Sequence, residues 1–223
     1  MSGADAAGAA VARLDAIARR LRRECPWDRE QTERTIVPHT VEEAYELADA
    51  AQRGDDAKLL DELGDVLFQV HFLSLLLEER AAGSLADVAD HCAEKLIRRH
   101  PHIFGETRAG TAAEVLRNWD QIKRSEEGRE PGIFGEIPET LPALLHARKV
   151  QRRADSSGAG SVDCTLSAVS ERLAALESAP DQFGALGDVL FVLVALARRL
   201  RIDPELALRA ASKRFQERVL DRA

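Results

Sequence analysis

Apolar residues recur at every third and fourth position along almost the whole chain, and no stretch alternates with a period of two. That pattern predicts an all-α protein of helical-bundle type. Helices are expected over 8–23, 39–53, 56–81, 84–99, 111–126, 139–153, 165–178, 182–200 and 203–220. Only 4% of the residues are aromatic, so the helices must pack mainly through Leu, Val and Ala. The turn at Gly54, Asp55 and Asp56 is short enough to make the helices on either side antiparallel neighbours. Gly128, Arg129, Glu130, Pro131 and Gly132 read as a linker, and Ser156 to Ser161 as a mobile loop.

At 223 residues and 45% hydrophobic content, the chain can bury a core as one large domain or two small ones. Its net charge of −7 argues against nucleic-acid binding, which needs clustered cations to meet phosphates. Cys25, Cys92 and Cys164 lie far apart, and their odd number suits reduced thiols better than a disulfide framework. The first residues lack the basic start and unbroken apolar run of a signal peptide. The longest apolar run, Val189 to Ala197, is under half of the roughly 20 residues a membrane helix needs. A cytoplasmic protein with no membrane contact is expected.

One hexapeptide occurs twice: Leu63 to Phe68 reappears as Leu186 to Phe191, each time inside a long apolar helix. Each copy precedes a helix with a basic cluster, Lys95, Arg98 and Arg99 in one case and Lys213, Arg214 and Arg218 in the other. The matching context favours duplication of a helical unit.

The chemistry lies in acids. Glu43 and Glu46 are three apart on one predicted helix, and Glu62 and Asp65 repeat the spacing on the next, so each pair shares a face. If the two faces meet, four carboxylates converge, and like charges at ~4 Å repel by about 4 kcal/mol per pair at an effective dielectric near 20. Such a cluster must protonate, splay apart or bind a cation, and oxygen-only ligands select hard ions such as Mg²⁺. The competing reading is that these are ordinary exposed helix acids, plentiful at 31% charged residues. Spacing alone leaves the two balanced.

The run Glu42, Glu43, Ala44, Tyr45, Glu46, followed by Glu62, Leu63, Gly64, Asp65, resembles the E-E-x-x-E … E-x-x-D signature of the MazG nucleoside triphosphate pyrophosphohydrolases. The likeness extends to Cys25, Pro26, Trp27 and Asp28 with Gln31 and Thr32 upstream, and to Lys95 through Phe104 downstream. Trp119 with Gln121, Ile122 and Lys123, and the connector from Pro138 to Arg153, also match. The resemblance implies an all-α homodimer that hydrolyses nucleoside triphosphates to NMP and pyrophosphate, an acid-anhydride hydrolase dependent on Mg²⁺, with Mn²⁺ able to substitute. By position, the metal ligands would be Glu43, Glu46, Glu62 and Asp65. Lys95 and Arg99 would contact phosphate, with Lys58 a weaker candidate, and Trp119 would contact the nucleotide.

Lys95 and Arg99 are one helical turn apart and can face the same way, where they would balance a triphosphate's charge. Their alternative is a solvated basic helix end favoured by the macrodipole. Trp119 fits a stacking role and a core role equally well. Trp27 is expected to anchor the turn after Cys25 and Pro26, and Cys25 to be buried. His100 and His102 flank a Pro without the spacing of a zinc site.

The second copy departs from the pattern. Ala185 stands where the first copy has Glu62, and Arg172 and Ala175 stand for Glu43 and Glu46, leaving only Asp188 for Asp65. The expected organisation is therefore a catalytic repeat over 1–130, a connector over 131–161 and a degenerate, non-catalytic repeat over 162–223. The expected function is broad nucleotide-pool sanitation by water attack on the α-phosphorus, with Glu42 or Glu43 as general base. The rivals are a non-catalytic helical module that binds nucleotides or protein, and a narrower dUTP- or dCTP-type pyrophosphatase.

Overall fold

The computed structural model describes residues 3–126 and 132–222. Among them the secondary structure is helical throughout, without strands. The chain forms two compact units, Met1–Leu96 and Ile97–Ala223. The helices are α1 (Gly3–Glu24), α2 (Pro26–Glu30), α3 (Glu33–Arg53), α4 (Asp56–Glu79), α5 (Leu85–Arg99), α6 (Pro101–Phe104), α7 (Ala112–Ser125), α8 (Ala143–Ser157), α9 (Leu166–Leu176), α10 (Gln182–Arg199) and α11 (Pro204–Leu220). None is long and apolar enough to cross a membrane.

The expected helices are present with shifted ends. The third begins at Glu33 rather than 39, because Thr32 and Thr35 form a reciprocal capping box and Pro38 is accommodated inside the helix. A Pro in the second turn removes one backbone bond without stopping the chain. The eighth begins at Ala143 behind Pro142, and takes in Ser156 and Ser157 before Gly158 ends it at φ +73°. Two short helices, α2 and α6, lie outside the expected set; each starts at a Pro, whose fixed φ suits the first turn. Of the expected linker, Gly128 to Pro131 lie outside the described residues.

In the first unit α3 and α4 pack as an antiparallel hairpin around Ile36, Phe72 and Leu76, with Phe68 and Leu73 against them. Helix α1 packs on another face of α4. Arg19 grips Glu78 through two bonds of 3.0 and 2.7 Å, and Arg22 grips Glu79 at 2.7 and 2.8 Å. Arg22 also donates to the Asp28 and Gln31 carbonyls at 2.5 and 3.1 Å, and its guanidinium lies 5.7 Å from the Phe72 ring centroid. One side chain thus ties α1, α2 and α4 together and satisfies carbonyls at the end of a helix too short to hold itself.

In the second unit α9 and α10 form the second hairpin, and α8 packs on α10. Gln151, buried in α8, donates to the Phe191 carbonyl at 2.7 Å. Arg99, only 5% exposed at the end of α5, is held by Glu126 through two bonds of 2.8 and 2.5 Å, and Arg98 joins the same carboxylate at 3.0 Å. This fork of cations holds the Glu126 carboxyl at about 2, with the Arg99 hydrogen bond the main cause.

A folded-state value below the ordinary carboxylate range means that this pair stabilises the protein at neutral pH and ceases to do so as pH falls towards 2. Glu126→Ala leaves a buried guanidinium without its carboxylate, at a cost of on the order of 3 kcal/mol near pH 7. Urea melts should show that gap between wild type and variant, narrowing as pH drops below 4. A gap independent of pH would contradict the assignment.

Candidate active site

The seam between α3 and α4 follows a seven-residue rhythm on both helices. On α3 it runs through Ile36, Thr40, Glu43, Leu47 and Ala50; on α4 it runs through Glu62, Asp65, Gln69, Phe72 and Leu76. Because the helices are antiparallel, Ile36 meets Phe72 and Leu76 at one end. Thr40 lies midway, its hydroxyl 3.4 Å from Gln69 Oε1. Glu43, Glu62 and Asp65 share the acidic end. A carboxylate oxygen from each of these three lies within 4.8 Å of the other two. The alternation on the seam explains their convergence: the same rows that bury apolar side chains at one end bring carboxylates together at the other.

Burial is graded across the triplet. Glu62 is 1% exposed, Glu43 is half-buried, and Asp65 is exposed at the mouth. The Glu43 carboxyl is pushed above the ordinary range, first by desolvation and then by Asp65, Glu46, Glu62 and Glu42. Lys58, one turn before Glu62, partly offsets this charge: its ammonium is 2.5 Å from Glu62 Oε1 and 3.2 Å from Asp61. Contact with Glu62, then with Asp61, raises the Lys58 pKa. Three oxygen donors facing one point, with an ammonium at the side, suit a hard divalent cation.

The remaining expected residues fall elsewhere. Glu46 stands one turn beyond Glu43 but off the seam, which continues through Leu47. It is exposed and outside the tight triplet, though near enough to bear on Glu43. Glu42 is exposed, its carboxylate 3.7 Å from His39. Lys95 is half-buried on α5. Arg99, on the same helix, is bound to Glu126. Trp119 is half-buried on α7, with the cations of Arg99, Lys123 and Arg152 at 5.0, 4.8 and 5.7 Å from its ring. Two expectations fail. Trp27 is 51% exposed and meets His39 edge-on at 6.0 Å rather than anchoring a turn, and Cys25 is half-buried as the N-cap of α2. The buried member of that segment is Asp28, and the anchor is Arg22 from α1. No local signal marks Arg22, because its partners lie on α4 and on α2 with its C-cap.

The second hairpin keeps the packing and changes the seam. Val169 on α9 and Val192 on α10 are buried where the first hairpin has Thr40 and Gln69. Arg172, in the place of Glu43, is exposed and donates back to the Ala168 carbonyl at 3.2 Å. Asp188 is exposed, with Ala185 one turn before it.

Residues 31–104, which contain the whole acidic seam, match the MazG nucleotide pyrophosphohydrolase domain. The chain is 39% identical over 223 residues to a nucleoside triphosphate pyrophosphohydrolase of Escherichia coli K12, spanning 93% of this chain and 85% of that one. It is 40% identical over 200 residues to the nucleoside triphosphate pyrophosphohydrolase/pyrophosphatase MazG of Thermotoga maritima, covering 87% and 77% of the two chains. A crystal structure of a MazG-related protein from Thermotoga maritima, 27% identical, covers 50% of this chain and 96% of its own, with a TM-score of 0.44. With those two relatives matched at 39% and 40% identity over most of their length, the chain belongs to the MazG nucleotide pyrophosphohydrolase family.

Proposed function

We propose that the protein is an Mg²⁺-dependent, cytoplasmic nucleoside triphosphate pyrophosphohydrolase of broad specificity that clears nucleotide pools, releasing NMP and pyrophosphate. The observation that carries this reading is the convergence of Glu43, Glu62 and Asp65 on one seam. Those three would hold the cation, for which Mn²⁺ could substitute, with Glu46 flanking them as a further ligand. The ion would supply neutralisation of the charge on the departing pyrophosphate and so favour attack of water at the α-phosphorus. Glu43 suits the task of general base better than Glu42 because it stands inside the cluster, whereas Glu42 lies towards His39. Lys58, Lys95 and Arg99 are assigned to phosphate and Trp119 to the nucleotide, on the strength of the family likeness.

The working site belongs to residues 1–130, with 131–161 as connector and 162–223 as a repeat that has kept its packing and lost its ligands. Support comes from the second seam, where Val169, Val192, Arg172 and Ala185 replace polar and acidic groups. A lone Asp188 cannot hold a divalent ion, because ligand number and charge set the affinity.

A homodimer is part of the same proposal. Leu60, Leu63, Leu67 and Val70 form an exposed row on the face of α4 turned away from α3, with Leu60 74% exposed. Phe183, Leu186, Leu190 and Leu193 form the matching row on α10, with Phe183 92% exposed. Gly64 and Gly187 lie beside these rows with open space around the position a Cβ would take. Continuous apolar rows of this kind are rarely left in water, and a second copy of the chain would cover them.

The product test is decisive for reaction type. Pyrophosphate should appear as the primary product, vanish in excess EDTA and return with Mg²⁺; orthophosphate as the first product, or no turnover at all, would refute the proposal. Asp65→Ala should lower turnover roughly a hundredfold or more with its helical content intact, since the cation loses a ligand. Asp188→Ala should leave turnover within a few-fold, so a dead but folded Asp188→Ala protein would overturn the single-site assignment. Light scattering at micromolar concentration should give twice the chain mass, and Leu63→Glu with Leu67→Glu should reduce it. A monomeric wild type would remove the dimer.

A further inference from the structure

The second unit contains a cleft of about 790 Å³ that plays no part in the proposed reaction. It opens between α8, the corner joining α10 to α11, and the loop after Gly158. Five arginines line it, Arg148, Arg152, Arg198, Arg199 and Arg201, with one acidic lining residue, Asp155. On a chain of net charge −7, such a local excess of cations runs against the general field and draws anions to one place.

The five arginines divide into two kinds. Arg148, Arg152 and Arg198 are each fixed by one carboxylate, Asp203 at 2.6 Å, Asp120 at 2.8 Å and Asp155 at 2.5 Å. One pair uses a fraction of a guanidinium's five donors, so it orients the group without exhausting it. Arg199 and Arg201 are exposed and make no ion pair among the described residues, although Arg199 lies near enough to Asp163 to help hold that carboxyl low, after the hydrogen bonds from Thr165. Arg201 holds φ +60°, in the left-handed position that ends α10 and that favours glycine. The equivalent position after α4 carries Ala81, at φ +54°.

The rest of the wall is suited to an organic ligand. Leu116, Val162, Ala195 and Ile202 give it an apolar side, and Gly158 and Gly160 line it without side chains. The volume falls within the range of small-molecule sites, which pair apolar surface with a few placed polar groups. Oriented and free guanidiniums around one cavity match a chain of phosphates, because Arg binds phosphate oxygens through paired donors.

We propose that this cleft binds a polyphosphate anion, either the phosphate chain of a nucleotide or an inorganic polyphosphate, at a site separate from the carboxylate seam and independent of metal. The proposal does not require the second repeat to do chemistry. It gives that repeat a ligand of its own.

The test is calorimetric titration of the protein in EDTA, with inorganic tripolyphosphate in one arm and ATP in the other. Saturable binding of one anion per chain is expected, at least tenfold weaker in the Arg199→Ala/Arg201→Ala double variant and unchanged in Asp65→Ala. Those two arginines make no ion pair among the described residues, so circular dichroism melts of the double variant should match wild type. Arg199→Gln/Arg201→Gln provides a second double variant of the same charge and closer size. ATP binding tenfold or more tighter than tripolyphosphate would identify a nucleotide read by the apolar wall. Equal affinity would identify the phosphate chain alone. No saturable binding in either arm, or binding undiminished in both folded double variants, would overturn the proposal. Neither result depends on turnover, so the site stands or falls apart from the hydrolase reading.

Discussion

Contact between the apolar ends of α3 and α4 governs the first unit, because it holds together a seam whose other end repels itself. Full burial of a large apolar side chain contributes roughly 1.5–3 kcal/mol, and Ile36, Phe72 and Leu76 are all at most 4% exposed. Repulsion between two ionised carboxylates at ~4 Å is about 4 kcal/mol at an effective dielectric near 20. The two effects are of one order, so neither half of the seam is incidental to the other. The apolar half keeps the register that brings Glu43 to Glu62 and Asp65, while the raised proton affinity of Glu43 and the nearby Lys58 ammonium limit the repulsion. Arg22 and Arg19 then lock α1 across α4, on a face the acids do not use.

The second hairpin shows what the same scaffold does when relieved of that conflict. Val169 and Val192 carry apolar packing further along the seam, and Ala185 removes the buried acid. Nothing on that seam calls for a cation. The second unit repeats the hexapeptide, the hairpin and the outward apolar row without the acidic cluster.

Much of this is legible in the residues. Helical periodicity locates the long helices, and the short turn at Gly54 makes α3 and α4 antiparallel, while whether Glu43 meets Glu62 and Asp65 depends on a facing geometry that spacing leaves open. The i, i+3 rule also places Glu46 on the same face. The packed seam itself alternates steps of three and four, and from Glu43 it proceeds to Leu47. The start of α3 is hard to place because Pro38 reads locally as a boundary, whereas the capping box at Thr32 acts well before it. Arg22, the Glu126 fork and the arginine cleft are illegible for a common reason: each is assembled from elements distant in sequence, and individual arginines carry no mark of their partners.

The contact between Lys58 and Glu62 has a consequence for how the acidic end would take up an ion. Lys58 is half-exposed on the first turns of α4, with Glu62 almost wholly buried beneath it. The carboxylates thus already have a resident positive charge, so a cation taken up there would enter by exchange rather than by insertion. A monovalent ion would trade one unit of charge for another and gain little, while a divalent ion would bring a surplus that the ammonium cannot match. A built-in competitor of this kind would set a threshold of valence at the acidic end.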